Sequence, residues 1–290
     1  MQQNKLIEEL TLIQDIKQFA QAYEEISVIR MQATRGLVLK TRTFLDGIGD
    51  IFFHVKNSYQ KQILALLKVK KKSDLTKIST INKNGKSVLV FLSANNKFYG
   101  NLTRRVFETF IKDAKLMQDD LVIIGKLGKL MYENEGILKA YEYFDLQDAN
   151  FPLEELKPII TRLVPYEKVT MYYGKFINVI SQTASTSNIT GEEPFSEVNL
   201  KQQDIKFVFE PSLEKILNYF EEQIFTSLFI QTVHEAELAR YASRIKAMEE
   251  SLEHINAQQI YVGQQERRLK SFIENKKQQQ AFSGISLWNK

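Results

Sequence analysis

All five prolines of this 290-residue chain lie between Pro152 and Pro211, leaving the first 151 residues and the last 79 with none. Proline in a helix interior removes a backbone donor and clashes with the preceding turn, at a cost of about 3 kcal/mol. Two long proline-free ends around a proline-bearing middle therefore permit very long helices at both termini and little else of comparable regularity. The apolar spacing supports that reading. In the C-terminal segment Leu238, Tyr241, Ile245, Met248, Leu252 and Ile255 alternate steps of three and four, as a coiled-coil seam requires. The column goes on through Val262 and Leu269, with Ile273 on its partner column, which Gln259 and Glu266 interrupt. Neither Gly nor Pro occurs from Ser212 to Val262. A helix from Ser212 to about Phe282 would be roughly 105 Å long at 1.5 Å per residue, too long for the inside of a compact domain.

The N-terminal segment carries the same signature. Leu12, Ile16, Phe19, Tyr23 and Ile26 alternate steps of four and three, and apolar residues continue through Ala33, Leu37, Phe44, Ile48 and Ile51. Gly36 costs this helix about 1 kcal/mol relative to Ala, and Gly47 and Gly49 weaken its distal part. The two seams are expected to bury each other, antiparallel, because both rods leave the same central domain. A coiled coil formed with a partner chain is the alternative, and it predicts a stable homodimer.

The middle of the chain has another texture. Ser87–Ser93 and Asp120–Ile124 are apolar runs of strand length, and residues 139–146, Val169–Phe176 and Ile177–Thr183 are expected to be strands as well. Asn101–Met117 shows an amphipathic helical period through Leu102, Val106, Phe110 and Ala114; Leu153–Val164 is a second helix, kinked or started by Pro158. Ile205–Phe209 resembles one more strand, Lys70–Lys86 a basic linker, and Ala184–Pro194 a Ser/Thr-rich loop. Strands alternating with helices predict an α/β domain with a mainly parallel, Rossmann-like sheet. The expected organisation is an N-terminal coiled-coil helix (1–60), a central α/β domain with its basic linker (61–210), and a C-terminal coiled-coil helix (211–290).

Composition narrows the chemistry. The chain has no cysteine and only three histidines, His54, His234 and His254, none paired at metal-ligand spacing. His234-Glu235 opens like a zinc-protease motif, but Leu238 stands where the second histidine belongs. Gly125-Lys126-Leu127-Gly128 lacks the spacing of a phosphate-binding loop and is expected to be a strand-to-helix turn. Ser93 has no histidine or aspartate in credible triad order, and a turn role is expected for it. No catalytic, cofactor or metal residue is therefore assigned. No run of roughly 18 apolar residues is present, and the N-terminus lacks the apolar core of a signal peptide. A location at the cytoplasmic face of the plasma membrane, held through a complex, is expected; a chain not coupled to a membrane would be cytoplasmic.

The formal charge is +4, and the cations cluster. Arg30, Arg35, Lys40 and Arg42 lie in a stretch without an acid, and Arg267 and Arg268 sit in a basic part of the second rod. These are candidate contacts for acidic partner loops, together with Arg244 and Met248. No helix-turn-helix, zinc-finger or RNP pattern supports nucleic acid as that partner.

Three stretches resemble the gamma subunit of F-type ATP synthases. Residues 209–251, FEPSLEKILNYFEEQIFTSLFIQTVHEAELARYASRIKAMEES, are similar to the family's Glu-Pro-Ser turn and long helix, with Ser243-Arg244-Ile245-Lys246-Ala247-Met248 in place of its Ser-Arg-Met-x-Ala-Met segment. Residues 88–110 resemble its strand, Gly-rich turn and helix at Ser93, Gly100 and Asn101, and residues 26–42 keep the character of Ile26 and Met31. Arg240-Tyr241 replaces the family's Glu-His, and its C-terminal pattern is largely lost, with Gly284 retained. The resemblance implies a non-catalytic rotor shaft inside a hexamer of alpha/beta-type ATPase subunits. It further implies an epsilon-type subunit and a membrane c-type ring as partners, with ATP synthesis or hydrolysis carried out by the partners and coupled to ion transport. A gamma-like shaft driving another load, such as motility, and a coiled-coil scaffold are the alternatives.

Overall fold

The computed structural model describes residues 2–67, 83–149, 151–190 and 213–288. The strand expected at Ile205–Phe209 and most of the basic linker lie outside these residues. The chain divides into two compact units, one of residues 1–29 with 244–290 and one of residues 30–243. Helices α1 (Gln2–Leu67) and α5 (Leu213–Trp288) contribute to both.

The larger unit is built on a five-stranded sheet. Its strands are β1 (Ser87–Leu92), β2 (Asp120–Ile124), β3 (Glu142–Phe144), β4 (Lys168–Phe176) and β5 (Gln182–Asn188), in the order β3-β2-β1-β4-β5. The first four are parallel and β5 closes the edge antiparallel to β4. Near-continuous apolar runs make β1 and β2, as expected of strands covered on both faces. Val88, Val90 and Leu92 point into one core with α4 (Leu153–Leu163) and the α5 residues Phe225, Phe229, Val233 and Ala236. Leu89 and Phe91 point into the other, against α2 (Leu102–Leu116) and Tyr132 of α3 (Lys126–Asn134). The alternation follows from the two-residue period of a strand. Helix α4 begins at Leu153, directly after Pro152, and Pro158 lies inside it.

One strand differs from the sequence expectation. Residues 177–181 are a hairpin turn rather than a strand, held by Asn178, whose Oδ1 accepts from the N–H groups of Ile180 (3.0 Å) and Ser181 (2.7 Å). The expected Ser/Thr-rich loop is instead strand β5 over Gln182–Asn188, paired with β4 from Phe176↔Gln182 to Thr170↔Asn188. An edge strand has fewer apolar neighbours to satisfy, so its polar composition hid it.

In each unit α1 and α5 run antiparallel. Gln259 Nε2 donates to Gln14 Oε1 at 3.0 Å and Arg244 lies over the Tyr23 ring at 5.4 Å in the smaller unit. In the larger unit the rings of Phe52 and Phe220 are 6.2 Å apart. The α5 seam of the smaller unit is the expected one: Ile245, Met248, Leu252, Ile255, Val262, Leu269 and Ile273 are buried or half-buried, with Gln259 and Glu266 in the same column. In the larger unit Leu238 and Tyr241 are buried.

The α1 seam is a correction. Leu12, Ile16, Phe19 and Ile26 face outward, with Leu12 58% and Phe19 53% exposed, and only Tyr23 of that column is half-buried. The buried column is offset by one residue or so: Leu6, Leu10, Ile13, Lys17, Ala20, Glu24 and Ser27, continuing in the larger unit as Met31, Thr34, Val38, Thr41, Leu45, Ile48, Phe52 and Val55. Its steps of four and three never break. Ser27 is fully buried and donates to the Tyr23 carbonyl at 2.6 Å. The α1 column mixes small side chains (Ala20, Ser27, Thr34) with large ones (Leu10, Ile13, Val38, Leu45), a combination that suits interdigitated helix packing.

Candidate functional site

Two features of the larger unit place buried polar side chains beside the core. The first is the notch at the carboxyl end of the sheet, between β1 and β4. In open α/β sheets that point, where the strand order reverses, is where ligands bind. Here the chain fills it. Ala236 of α5 belongs to the core on one face of the sheet and Ala239 to the core on the other, so α5 passes the sheet end at this turn. Arg240, 6% exposed, donates from Nη1 to the Ser93 carbonyl at 3.0 Å, with its guanidinium 6.0 Å from the Tyr99 ring. Ser243 Oγ donates to the Tyr99 carbonyl at 2.8 Å.

The loop receiving these donors is itself pinned. The buried Asp148 carboxylate accepts from the N–H groups of Asn95 and Asn96 and from Asn96 Nδ2, each at 2.7 Å, and from the Tyr99 hydroxyl at 3.2 Å. Asn95 Nδ2 donates to Asp145 and to the Leu146 carbonyl, while its Oδ1 accepts from the Lys126 N–H at 2.8 Å. Gly125 makes the expected strand-to-helix turn at φ +99°, and a Cβ on Gly128 would come within 2.6 Å of the Ser93 Cβ. Ser93 therefore serves the turn, as expected, with its carbonyl as the working group.

The second feature is a small pocket of about 110 Å3 lined by Arg30, Ala33, Thr34, Leu37, Phe151, His234, Glu237 and Tyr241. Glu237 is buried and accepts from the Tyr241 hydroxyl at 3.0 Å, and His234 Nδ1 lies 3.4 Å from its other oxygen. The His234 ring stacks on Phe151 at 5.0 Å. Burial, then the nearby Glu237 charge, pushes the Tyr241 phenol upward, and Arg30 draws it back. Next to the pocket, burial also raises the Glu235 carboxyl, against the pull of Lys175 and Arg42. The arrangement satisfies a buried carboxylate. It presents no nucleophile with a base and orienter in line. Among the described residues no group of three or more His, Asp or Glu side chains is placed to hold a metal ion.

Of the candidate partner contacts, Arg30, Arg35, Lys40, Arg42, Arg267 and Arg268 are exposed. Arg244 and Met248 are buried, at 5% and 8%, and pack inside the smaller unit instead. The exposed apolar side chains of α1 form a second heptad column: Leu12, Ile16, Phe19, Ile26, Leu37, Phe44 and Ile51, with Arg30 and Lys40 in the same phase. Sequence reasoning missed Arg240, Ser243 and Asp148 as structural keys. A signal for the first two existed: the α5 stripe Phe225, Phe229, Val233, Ala236 continues in phase to positions 240 and 243.

Residues 3–261 match a family model described as ATP synthase. The chain is 25% identical over 258 residues to the ATP synthase gamma chain of Dictyoglomus thermophilum, covering 86% of this chain and 84% of that one. It is 20% identical over 265 residues to the ATP synthase gamma chain of Malacoplasma penetrans, covering 87% of each. In fold it is similar to a chain of the Tetrahymena thermophila mitochondrial ATP synthase central stalk and c-ring structure, with a TM-score of 0.56 and 22% identity, covering 80% of this chain and 99% of that one.

Proposed function

The chain belongs to the ATP synthase family as a gamma subunit, and from that premise we propose that it turns as a central shaft without a reaction centre of its own. The observation that carries this reading is the outward heptad column of α1. A coiled coil sufficient to itself would turn its largest apolar side chains inward. This one places Ala20, Ser27 and Thr34 among the larger Ile13, Val38 and Leu45 of the inner seam and leaves Leu12, Ile16, Phe19 and Ile26 outside. Such a face needs a sleeve. A hexamer of alpha/beta-type ATPase subunits supplies one, with its acidic loops meeting Arg30, Arg35, Lys40, Arg42, Arg267 and Arg268. Contacts between a cationic surface and acidic loops tolerate sliding, since charge attraction needs no fixed register.

The mechanism is differential contact. One face of α1 is apolar and cationic while the seam faces α5, so each angle of the shaft presents different chemistry to each surrounding subunit. An angle that favours one conformation of a nucleotide site shifts that site's population toward it, and hydrolysis at the site reciprocally favours the angle. The α/β unit is the foot, joined to an epsilon-type subunit and a c-type ring. No described helix is long and apolar enough to cross a membrane. In our reading the chain is held through the complex at the cytoplasmic face of the plasma membrane.

The test is purification of the tagged chain from native extract. The expected result is one copy bound to nucleotide-binding subunits with ATPase activity and ATP-driven rotation. A stable homodimer free of ATPase subunits would refute the shaft reading. A double variant, Ile16→Asp with Phe19→Asp, is expected to keep the helical content of the chain and to lose assembly.

A further inference from the structure

We propose that Arg240 and Ser243 lock α5 in rotation to the α/β sheet, so that torque passes between them through the loop after β1. The inference rests on the shaft reading. Apolar packing alone is a poor lock. The stripe Phe225, Phe229, Val233, Ala236 buries α5 against the sheet, but apolar contact is non-directional and resists rolling about the helix axis only through the fit of its side chains. At the next two positions of that stripe the side chains become polar while staying buried. Both donate to backbone carbonyls, of Ser93 and of Tyr99. Hydrogen bonds are directional, and a charged donor roughly doubles their strength.

The acceptors are placed where a lock would hold. Both belong to the loop leaving the central strand β1, which has β2 on one side and β4 on the other. That loop is tied by the Asp148 carboxylate and by Asn95 to the segment after β3 and to the start of α3. A turning force on α5 at this point reaches several strands at once. A force on an isolated hairpin would be lost in bending it. The Tyr99 ring lies 6.0 Å from the Arg240 guanidinium, at the edge of cation–π range, and adds a weak second contact on the same loop. Arg240 is thus a positioning residue that acts through the β1 loop.

The chain contains no cysteine, so a single introduced thiol serves as its attachment point for a bead. Two handles are used in the assembled, surface-anchored complex: Leu138→Cys, fully exposed on the α/β unit, and Glu222→Cys, exposed on α5. Bead rotation under rising viscous drag is compared for the parent, Arg240→Met with Ser243→Ala, and Arg240→Lys. Methionine keeps the apolar stem and removes the donors. Loss of a charge-assisted hydrogen bond is expected to raise slipping of the Leu138 handle about tenfold, while the Glu222 handle keeps the parent's torque and ATP hydrolysis continues. Arg240→Lys restores a donor and is expected to recover much of the hold. Equal torque at both handles in the donor-less variant overturns the inference, as does an equal loss at both, which marks general weakening. If neither handle of the parent rotates with ATP, the shaft reading fails and this inference with it.

Discussion

Two isoleucines three residues apart test which face of α1 is the seam. Ile13 is 7% exposed in the inner column and Ile16 is 48% exposed in the outer one. Truncating a buried Ile to Ala removes transfer free energy and leaves a cavity, together about 2–5 kcal/mol. At a half-exposed position with no facing helix the cavity term vanishes, and the cost should stay within about 0.5 kcal/mol. Both substitutions gain the same few tenths of a kcal/mol in helix propensity, so the difference between them is packing alone. For Ile13→Ala a loss of about 3 kcal/mol corresponds to roughly a hundredfold faster exchange of amides that open with this unit. Hydrogen exchange read by mass spectrometry on peptides within residues 1–29 reports that unit separately from the α/β core. The expected order is a large rise in exchange for Ile13→Ala and little change for Ile16→Ala. Equal effects, or the reverse order, would refute the seam described here and the outward face that the shaft reading needs.

Three other outcomes are expected. Asp148→Ala strips the acceptor from the N–H groups of the half-buried Asn95 and the exposed Asn96, which water can partly replace, and should cost about 1–3 kcal/mol in urea unfolding. Gly128→Ala drives a Cβ to 2.6 Å from that of Ser93 and should cost about 1–3 kcal/mol, seen as a lower Tm. Glu235, raised by burial, holds its proton more readily folded than unfolded, so its contribution is present below the unfolded pKa and is lost as pH rises through the folded one. Glu235→Gln should therefore raise Tm over the parent at neutral pH and leave it nearly unchanged near about pH 4, where both states are largely protonated.

The long helices, the parallel core strands and the α5 seam were legible because they obey strong local rules. Ser87–Leu92 is apolar since it is buried on both faces, and Ile245 to Ile273 alternate because a coiled coil demands it. Other features were hidden for physical reasons. On α1 two columns one residue apart both satisfy the heptad, and the greasier one faces out, so hydrophobicity pointed to the wrong side. Strand β5 is an edge of Thr, Ser and Asn, with a loop's composition and a strand's backbone pairing. Arg244 looked like a cationic surface contact, but its guanidinium lies over Tyr23 within the smaller unit. The grip of Arg240 had no sequence signature on its acceptor side, since every residue carries a carbonyl and only the fold selects which one is met.

The filled notch has a consequence for regulation. A doubly wound sheet ordinarily keeps a crevice at its strand-order reversal, and ligands bind there. Among the described residues that position is taken by the Arg240 guanidinium and the Tyr99 ring, so a ligand would enter it only by displacing α5 from the β1 loop.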